Sequence, residues 1–152
     1  MTAEFLVEEN AVQLGMLLTQ AGAAWRRQAE ASLQEVGLTH PQFMIMSGLE
    51  RLTREGQVNQ IALARHCMMD VATTSQILCT LERKGLVERR HNSMDHRAKF
   101  PCLTEAGRRT VNMATMRVRA AERNFFATLG EQQRLESFAG KLDELLSSSV
   151  AA

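Results

Sequence analysis

Residues 59–85 read NQIALARHCMMDVATTSQILCTLERKG, and the fold follows from this stretch. Asn59 precedes a short periodic run and reads as the cap of a helix over 60–67. Asp70 caps a second helix over 71–84, and Gly85 ends it. On that second helix Thr74, Leu78, Leu81 and Gly85 form one stripe, with Ile77 beside it. Ala72, Thr73, Ser75, Gln76, Cys79 and Thr80 point the other way. Downstream, 86–91 reads as a strand, Asn92-Ser93-Met94-Asp95 as a turn, and 98–103 as a second strand. A short helix, a tight turn, a helix and a hairpin in that order make a winged helix-turn-helix. One helix packs across the second and leaves the second's outer face free. A major groove about 12 Å wide admits such a helix, and the hairpin reaches the adjacent backbone or minor groove.

Outward from this stretch the chain reads as helix. A first helix is expected over 8–35, with Leu14, Leu17, Leu18, Ala21 and Trp25 on one face and Gly37 as its C-cap. Thr39-His40-Pro41-Gln42 supplies an N-cap, an early Pro and a capping-box Gln for the next. Phe43, Met46, Leu49 and Leu52 line that helix, which is expected to end near 54–56. Thr104 caps a long fifth helix to about residue 128, with Val111, Ala114, Val118, Ala121 and Phe125 on one seam. Gly130 breaks the chain, and a last helix carries Leu135, Phe138, Leu142 and Leu145 before a frayed end over 147–152. No internal repeat is visible. The fold class is mainly α with a small β-wing, and 152 residues fit one domain.

Taken as evenly spread, the net charge of +1 argues against a nucleic-acid partner. Its distribution reverses that. Residues 57–110 hold nine basic and five acidic side chains, net +4, and the remainder is net −3. A basic segment on an acidic body is the footprint of a phosphate-binding face. The outer face of the second helix adds hydrogen-bonding side chains. Gln engages adenine through two bonds, and Thr or Ala methyls suit the thymine methyl. A polar solvent face on an ordinary helix has the same composition.

Other classes fall away. No apolar run approaches the roughly 20 residues of a membrane span. Met1-Thr2-Ala3-Glu4-Phe5 is acidic, unlike a signal peptide. Cys67, Cys79 and Cys102 are odd in number, so a disulfide framework is not expected and a cytoplasmic location is. Aromatic residues are 5% with no Tyr, which disfavours stacking-type single-strand binding. His66, His91 and His96 lack metal-site spacing, and no phosphate loop, nucleophile elbow or acid/base pair appears. No enzyme, metal or cofactor is expected.

Leu63-Ala64, Thr73-x-Ser75, Leu81-Glu82-x-Lys84-Gly85-Leu86-Val87, Asp95-x-Arg97 and Leu103-Thr104-x-x-Gly107 share an order and spacing. Together with Thr39-x-x-Gln42, they resemble the MarR family of bacterial dimeric winged-helix transcription regulators, along the whole chain. The resemblance implies a DNA-reading head over 36–110 and dimerisation helices over 1–35 and 111–152. It implies a homodimer on a near-palindromic double-stranded operator, usually as a repressor. An intramolecular bundle would use the same apolar seams. DNA contacts are then expected from Ala72, Thr73, Ser75, Gln76 and Thr80 on the second helix of the motif, and from Arg89, Arg90 and Lys99 of the hairpin. Arg97 would approach the minor groove, with Asp95 holding its guanidinium. An exposed turn ion pair is the plainer account of those two.

The chain departs from the family pattern in four places. His96 replaces a frequent Arg, and Pro101 removes a ladder donor from the second strand, which is expected to bulge or lie at an edge. Met68 stands at the usual Gly of the turn, implying a looser turn or mild strain. Gln76 stands where a basic residue is frequent, which shifts weight to base readout. Family members often release DNA on binding a small aromatic or phenolic ligand. Met16, Trp25, Phe43, Met44 and Met46 are the candidate wall, with plain core packing as the competing account. Cysteine-based oxidant sensing through Cys67, Cys79 or Cys102, and a winged-helix interaction module without DNA binding, are the alternative functions.

Overall fold

Four side-chain caps set where the helices start. Thr39 accepts from the Gln42 amide, Asn59 from Ala62, Asp70 from Thr73, and Thr104 from Gly107. Each satisfies a backbone donor that the first helical turn leaves open. The Gln42 side chain also accepts from the Thr39 amide at 3.1 Å, completing the capping box. The computed structural model describes residues 3–91, 94 and 99–150. Over these, the order is α1 (Ala3–Leu33), α2 (His40–Leu52), α3 (Gln60–His66), α4 (Val71–Arg83), β1 (Val87–His91), β2 (Lys99–Leu103), α5 (Glu105–Phe126) and α6 (Gln132–Val150). Short 3-10 turns follow α1 and α5.

The elements fall close to their expected positions, with three differences. α1 begins earlier, and its last turn tightens to a 3-10 helix before Gly37 caps it in the left-handed conformation. α2 stops at Leu52, where Thr53 turns its hydroxyl back onto the Leu49 carbonyl at 2.6 Å. α6 continues through Val150, past the expected fraying at Ser147.

The core lies between α2, α3, α4, the hairpin and the first half of α5. Ile45, Met46, Leu49, Leu63, Leu78, Leu81 and Val111 are fully buried there. On α5, Val111, Ala114 and Val118 face inward at helical spacing. Trp25 of α1 meets Phe125 and Phe126 with ring centroids 5.6 and 6.1 Å apart, and Phe126 meets Phe138 of α6. Such tilted contacts suit the aromatic quadrupole.

The hairpin is antiparallel, pairing Val87 with Leu103, Arg89 with Pro101 and His91 with Lys99 in continuous register. Pro101 therefore sits without a bulge. A two-stranded sheet consists of edges only, so a missing donor is tolerated there. Met68 has φ 55° and is the one non-glycine residue with positive φ among the described residues. The strain expected at that turn is real, on the order of 1 kcal/mol.

A tight knot joins the hairpin to the helices. The Thr104 amide donates to the Leu86 carbonyl at 3.1 Å, and its hydroxyl donates to the Gly85 carbonyl at 2.7 Å. Gly107, one turn into α5, lies against the same loop. A Cβ there would stand 2.0 Å from the Leu86 carbonyl oxygen. Only glycine permits this approach, which explains the Thr-x-x-Gly spacing. Gly107→Ala is expected to cost about 1–3 kcal/mol or more, as overpacking against a fixed backbone does. The midpoint of urea unfolding measures it, and an unchanged midpoint would show that the Leu86 carbonyl yields freely.

Candidate nucleic-acid interface

α4 is two-faced, and its sequence makes it so. Thr74, Leu78 and Leu81 are buried against α2 and α3, with Ile77 half-buried beside them. Ala72, Thr73, Gln76 and Cys79 are exposed on the outer side, and Ser75 and Thr80 are half-exposed. The outer residues thus form one accessible row of small and hydrogen-bonding side chains.

Several of these groups are already committed. Asp70 takes the Thr73 amide at 2.7 Å and the Thr73 hydroxyl at 2.6 Å. These bonds hold the Asp70 carboxyl below its ordinary range. Thr73 therefore has its methyl and its oxygen lone pairs available, but not its proton. Thr80 donates to the Gln76 carbonyl and accepts from Arg83 at 3.3 Å. The Gln76 side chain, by contrast, has its amide head exposed. Arg83 belongs to this face and was not among the expected contacts. Its spacing of three from Thr80 and seven from Gln76 carries the signal.

The hairpin splits its two neighbouring arginines. Val87, Arg89, Pro101 and Leu103 share the side that faces the helices. Arg89 is half-buried, its Nε 3.3 Å from Glu82 of α4 and its NH1 3.3 Å from Gln60 Oε1 of α3. Gln60 also donates to the Val71 carbonyl at 3.4 Å. Arg89 is thus a tie among both helices of the motif and the wing. Arg90 lies on the opposite face, held by Glu88 at 2.6 Å, beside Phe100 and Cys102. Of the expected contacts, the α4 residues come together on one surface, and Arg90 stands apart from it. Lys99 is exposed at the start of β2, opposite His91. Asp95 and Arg97, with His96, lie outside the described residues.

α4 is also anchored at its far end. Lys84, its C-cap, sends its ammonium to the Gly37 carbonyl at 2.7 Å and to Gln42 Oε1 at 3.2 Å. Gly37 closes α1, and Gln42 belongs to the α2 capping box.

The expected ligand wall is dispersed in the single chain. Phe43 and Met46 are core residues, Met44 is half-buried, Trp25 lies in the aromatic cluster, and Met16 is exposed. Among the cysteines, Cys67 is buried and shares a 3.4 Å contact with the Met44 carbonyl. Burial pushes its thiol up to about 11. The Cys102 thiol is also raised, again chiefly by burial. Cys79 is exposed on α4. Among the described residues no helix is long and apolar enough to cross a membrane.

Comparison with known proteins agrees with this geometry. A family model described as the MarR family matches residues 38–99, from the start of α2 to the start of β2. The HTH-type transcriptional regulator YdcH of Bacillus subtilis is 35% identical over 133 residues, covering 87% of this chain and 88% of that protein. The HTH-type transcriptional repressor Rv2887 of Mycobacterium tuberculosis is 33% identical, covering 87% of this chain and 92% of that one. Among solved structures, CouR of Rhodococcus jostii bound to p-coumaroyl-CoA superposes with a TM-score of 0.75 at 26% identity, covering 89% of this chain and 90% of that one. With the motif order, the two-faced α4 and these full-length likenesses in agreement, the chain belongs to the MarR family of winged helix-turn-helix transcriptional regulators.

Proposed function

We propose that the chain acts as a homodimeric repressor that reads a near-palindromic double-stranded operator and releases it when a small aromatic ligand binds. The observation that carries the DNA reading is the α4 face. It is an accessible row of hydrogen-bonding side chains on a helix whose other side is locked in the core. In this reading Gln76, Ser75 and Thr80 meet base edges and phosphates, Ala72 and Thr73 offer methyls, and Arg83 and Lys99 meet the backbone. Arg97, steadied by Asp95, enters the minor groove. Arg89 orients the wing from behind, and Arg90 is left for a backbone contact only if the DNA wraps past the hairpin.

The dimer follows from what the single chain leaves uncovered. Leu14 and Leu17 of α1 are 63% and 57% exposed, and Leu145 and Leu146 of α6 are 56% and 53% exposed. Among its described residues α6 buries none fully, and only Leu135 and Leu142 are half-buried. A helix in a protein draws most of its stability from packing its amphipathic face, so this apolar stripe needs a partner. A second copy supplies one, with residues 1–35 and 111–152 as dimerisation helices and 36–110 as the reading head. Twofold symmetry then places the two α4 helices about one helical turn of DNA apart, on the order of 34–36 Å.

Release by a ligand is supported by the Trp25–Phe125–Phe126 cluster, where α1 meets α5 and Trp25 packs against the core that holds Phe43 and Met46. Such a ligand acts only through different affinity for the two states of the dimer. CouR, with p-coumaroyl-CoA bound, is the relative that motivates an aromatic effector. Peroxide sensing is the weaker reading at Cys67 and Cys102, since burial disfavours the thiolate that reacts.

Three outcomes test the proposal. Light scattering at micromolar concentration is expected to give twice the chain mass, and Leu146→Asp to shift it toward the monomer. A monomeric parent protein would overturn the dimer. Arg97→Ala is expected to weaken operator binding by about 1–3 kcal/mol and reduce the salt slope by about one. Unchanged affinity and slope in a gel-shift titration would remove Arg97 from the interface. Gln76→Ala is expected to relax preference at one base position per half-site, by about 1–3 kcal/mol of discrimination, with general affinity less affected. A selected-sequence profile identical to the parent's would end the base-reading role.

A further inference from the structure

Behind the wing, on the face turned away from the Arg89 tie, lies a cleft of about 600 Å3. The end of α2 contributes Glu50, the turn after it Arg54, β1 contributes Arg90, β2 contributes Phe100 and Cys102, and α5 contributes Arg108. Three guanidinium groups and one carboxylate therefore line one concavity. Arg90 is occupied by Glu88. Among the described residues Arg54 and Arg108 form no ion pair, and Arg108 only reaches the Leu103 carbonyl at 3.4 Å. Each of these two groups carries five N–H donors in a rigid fork. They come from different elements and border the same space, so an anion between them satisfies both. Phe100 and the half-buried Cys102 give the cleft an apolar wall as well. Its volume lies within the range of small-molecule sites.

We propose that this cleft binds a small organic anion, a carboxylate or phosphate monoester on an apolar body, at a site separate from both the α4 face and the aromatic cluster. Arg54 and Arg108 clamp the anionic group, bidentate geometry being what a guanidinium fork favours. Phe100 takes the apolar part. Arg90 follows Arg89 on β1, so the occupant sits one residue from the contact that fixes the wing to α3 and α4. The proposal stands whether or not the operator reading above is correct.

Calorimetric titration of the full chain with benzoate, phenyl phosphate and inorganic phosphate tests it. The expected result is saturable binding of benzoate or phenyl phosphate at one site per chain, tighter than inorganic phosphate. The first two probes show which anionic head the clamp accepts. Arg54→Gln and Arg108→Gln are each expected to weaken that binding about tenfold or more, the loss of one charge-assisted contact. The Arg54 side chain makes no hydrogen bond or ion pair among the described residues, so its variant guards against a folding artefact, checked by an unchanged melting temperature. Failure of all three probes at millimolar concentration would overturn the proposal. So would binding of equal affinity in both variants, which would place the ligand elsewhere. Inorganic phosphate binding as tightly as phenyl phosphate would overturn the organic part. If no probe binds and the variants instead lose DNA affinity with a lower salt slope, the cleft holds DNA backbone and the proposal fails.

Discussion

The contact between Gly107 and the Leu86 carbonyl is the constraint on which the rest of the structure hangs. It lets α5 start hard against the turn that ends α4, with Thr104 bonded to both residues of that turn. The hairpin is thereby pinned at its base, because β2 runs directly into the capped start of α5. The same α5 then travels past α1 and presents its far end to Trp25. One close backbone approach thus sets the wing relative to α4, and the head relative to the long helices.

Much of this was legible in the sequence because it is local. Caps at Thr39, Asn59, Asp70 and Thr104 depend on a side chain and an amide three residues on, so spacing alone identifies them. The inner stripe of α4 was equally clear, since a period of 3.6 separates its faces. What was not legible depends on partners distant in the chain. Leu14 and Leu17 repeat on α1 as regularly as Val111 and Val118 on α5, yet the first pair is exposed and the second buried. Periodicity reports an apolar face and not what covers it. Arg89 and Arg90 look equivalent as a basic pair. Strand alternation sends them to opposite sides, and the buried Val87 was the signal that would have told which is which. Arg83 continues the stripe of Gln76 and Thr80 into the last turn of α4, where a period of 3.6 places it.

The α4 face proposed to read DNA is built with little free charge. Its side chains are mostly neutral, and the carboxylates of Asp70 and Glu82 are both engaged, by Thr73 and Arg89. Arg83 stands beside Thr80 at the end of this face, not in its centre. Affinity in such an arrangement comes from the rim and discrimination from the middle. That division fits a chain whose overall charge is close to neutral.

Lys84 links the α1–α2 junction to the end of α4. Its single ammonium gathers the carbonyl that ends α1, the amide side chain that starts α2, and the end of α4. Three helix ends thus share one polar hub, beside the buried Leu33, Leu38 and Leu81. A rotation of α1 about its junction with α2 has two outcomes available: it drags the C-terminal end of α4, or it breaks the hub and frees that end. In either case the pitch of α4 is coupled to the arrangement of the long helices. If α4 reads the groove as proposed, its tilt is then set in part by the junction of α1 and α2.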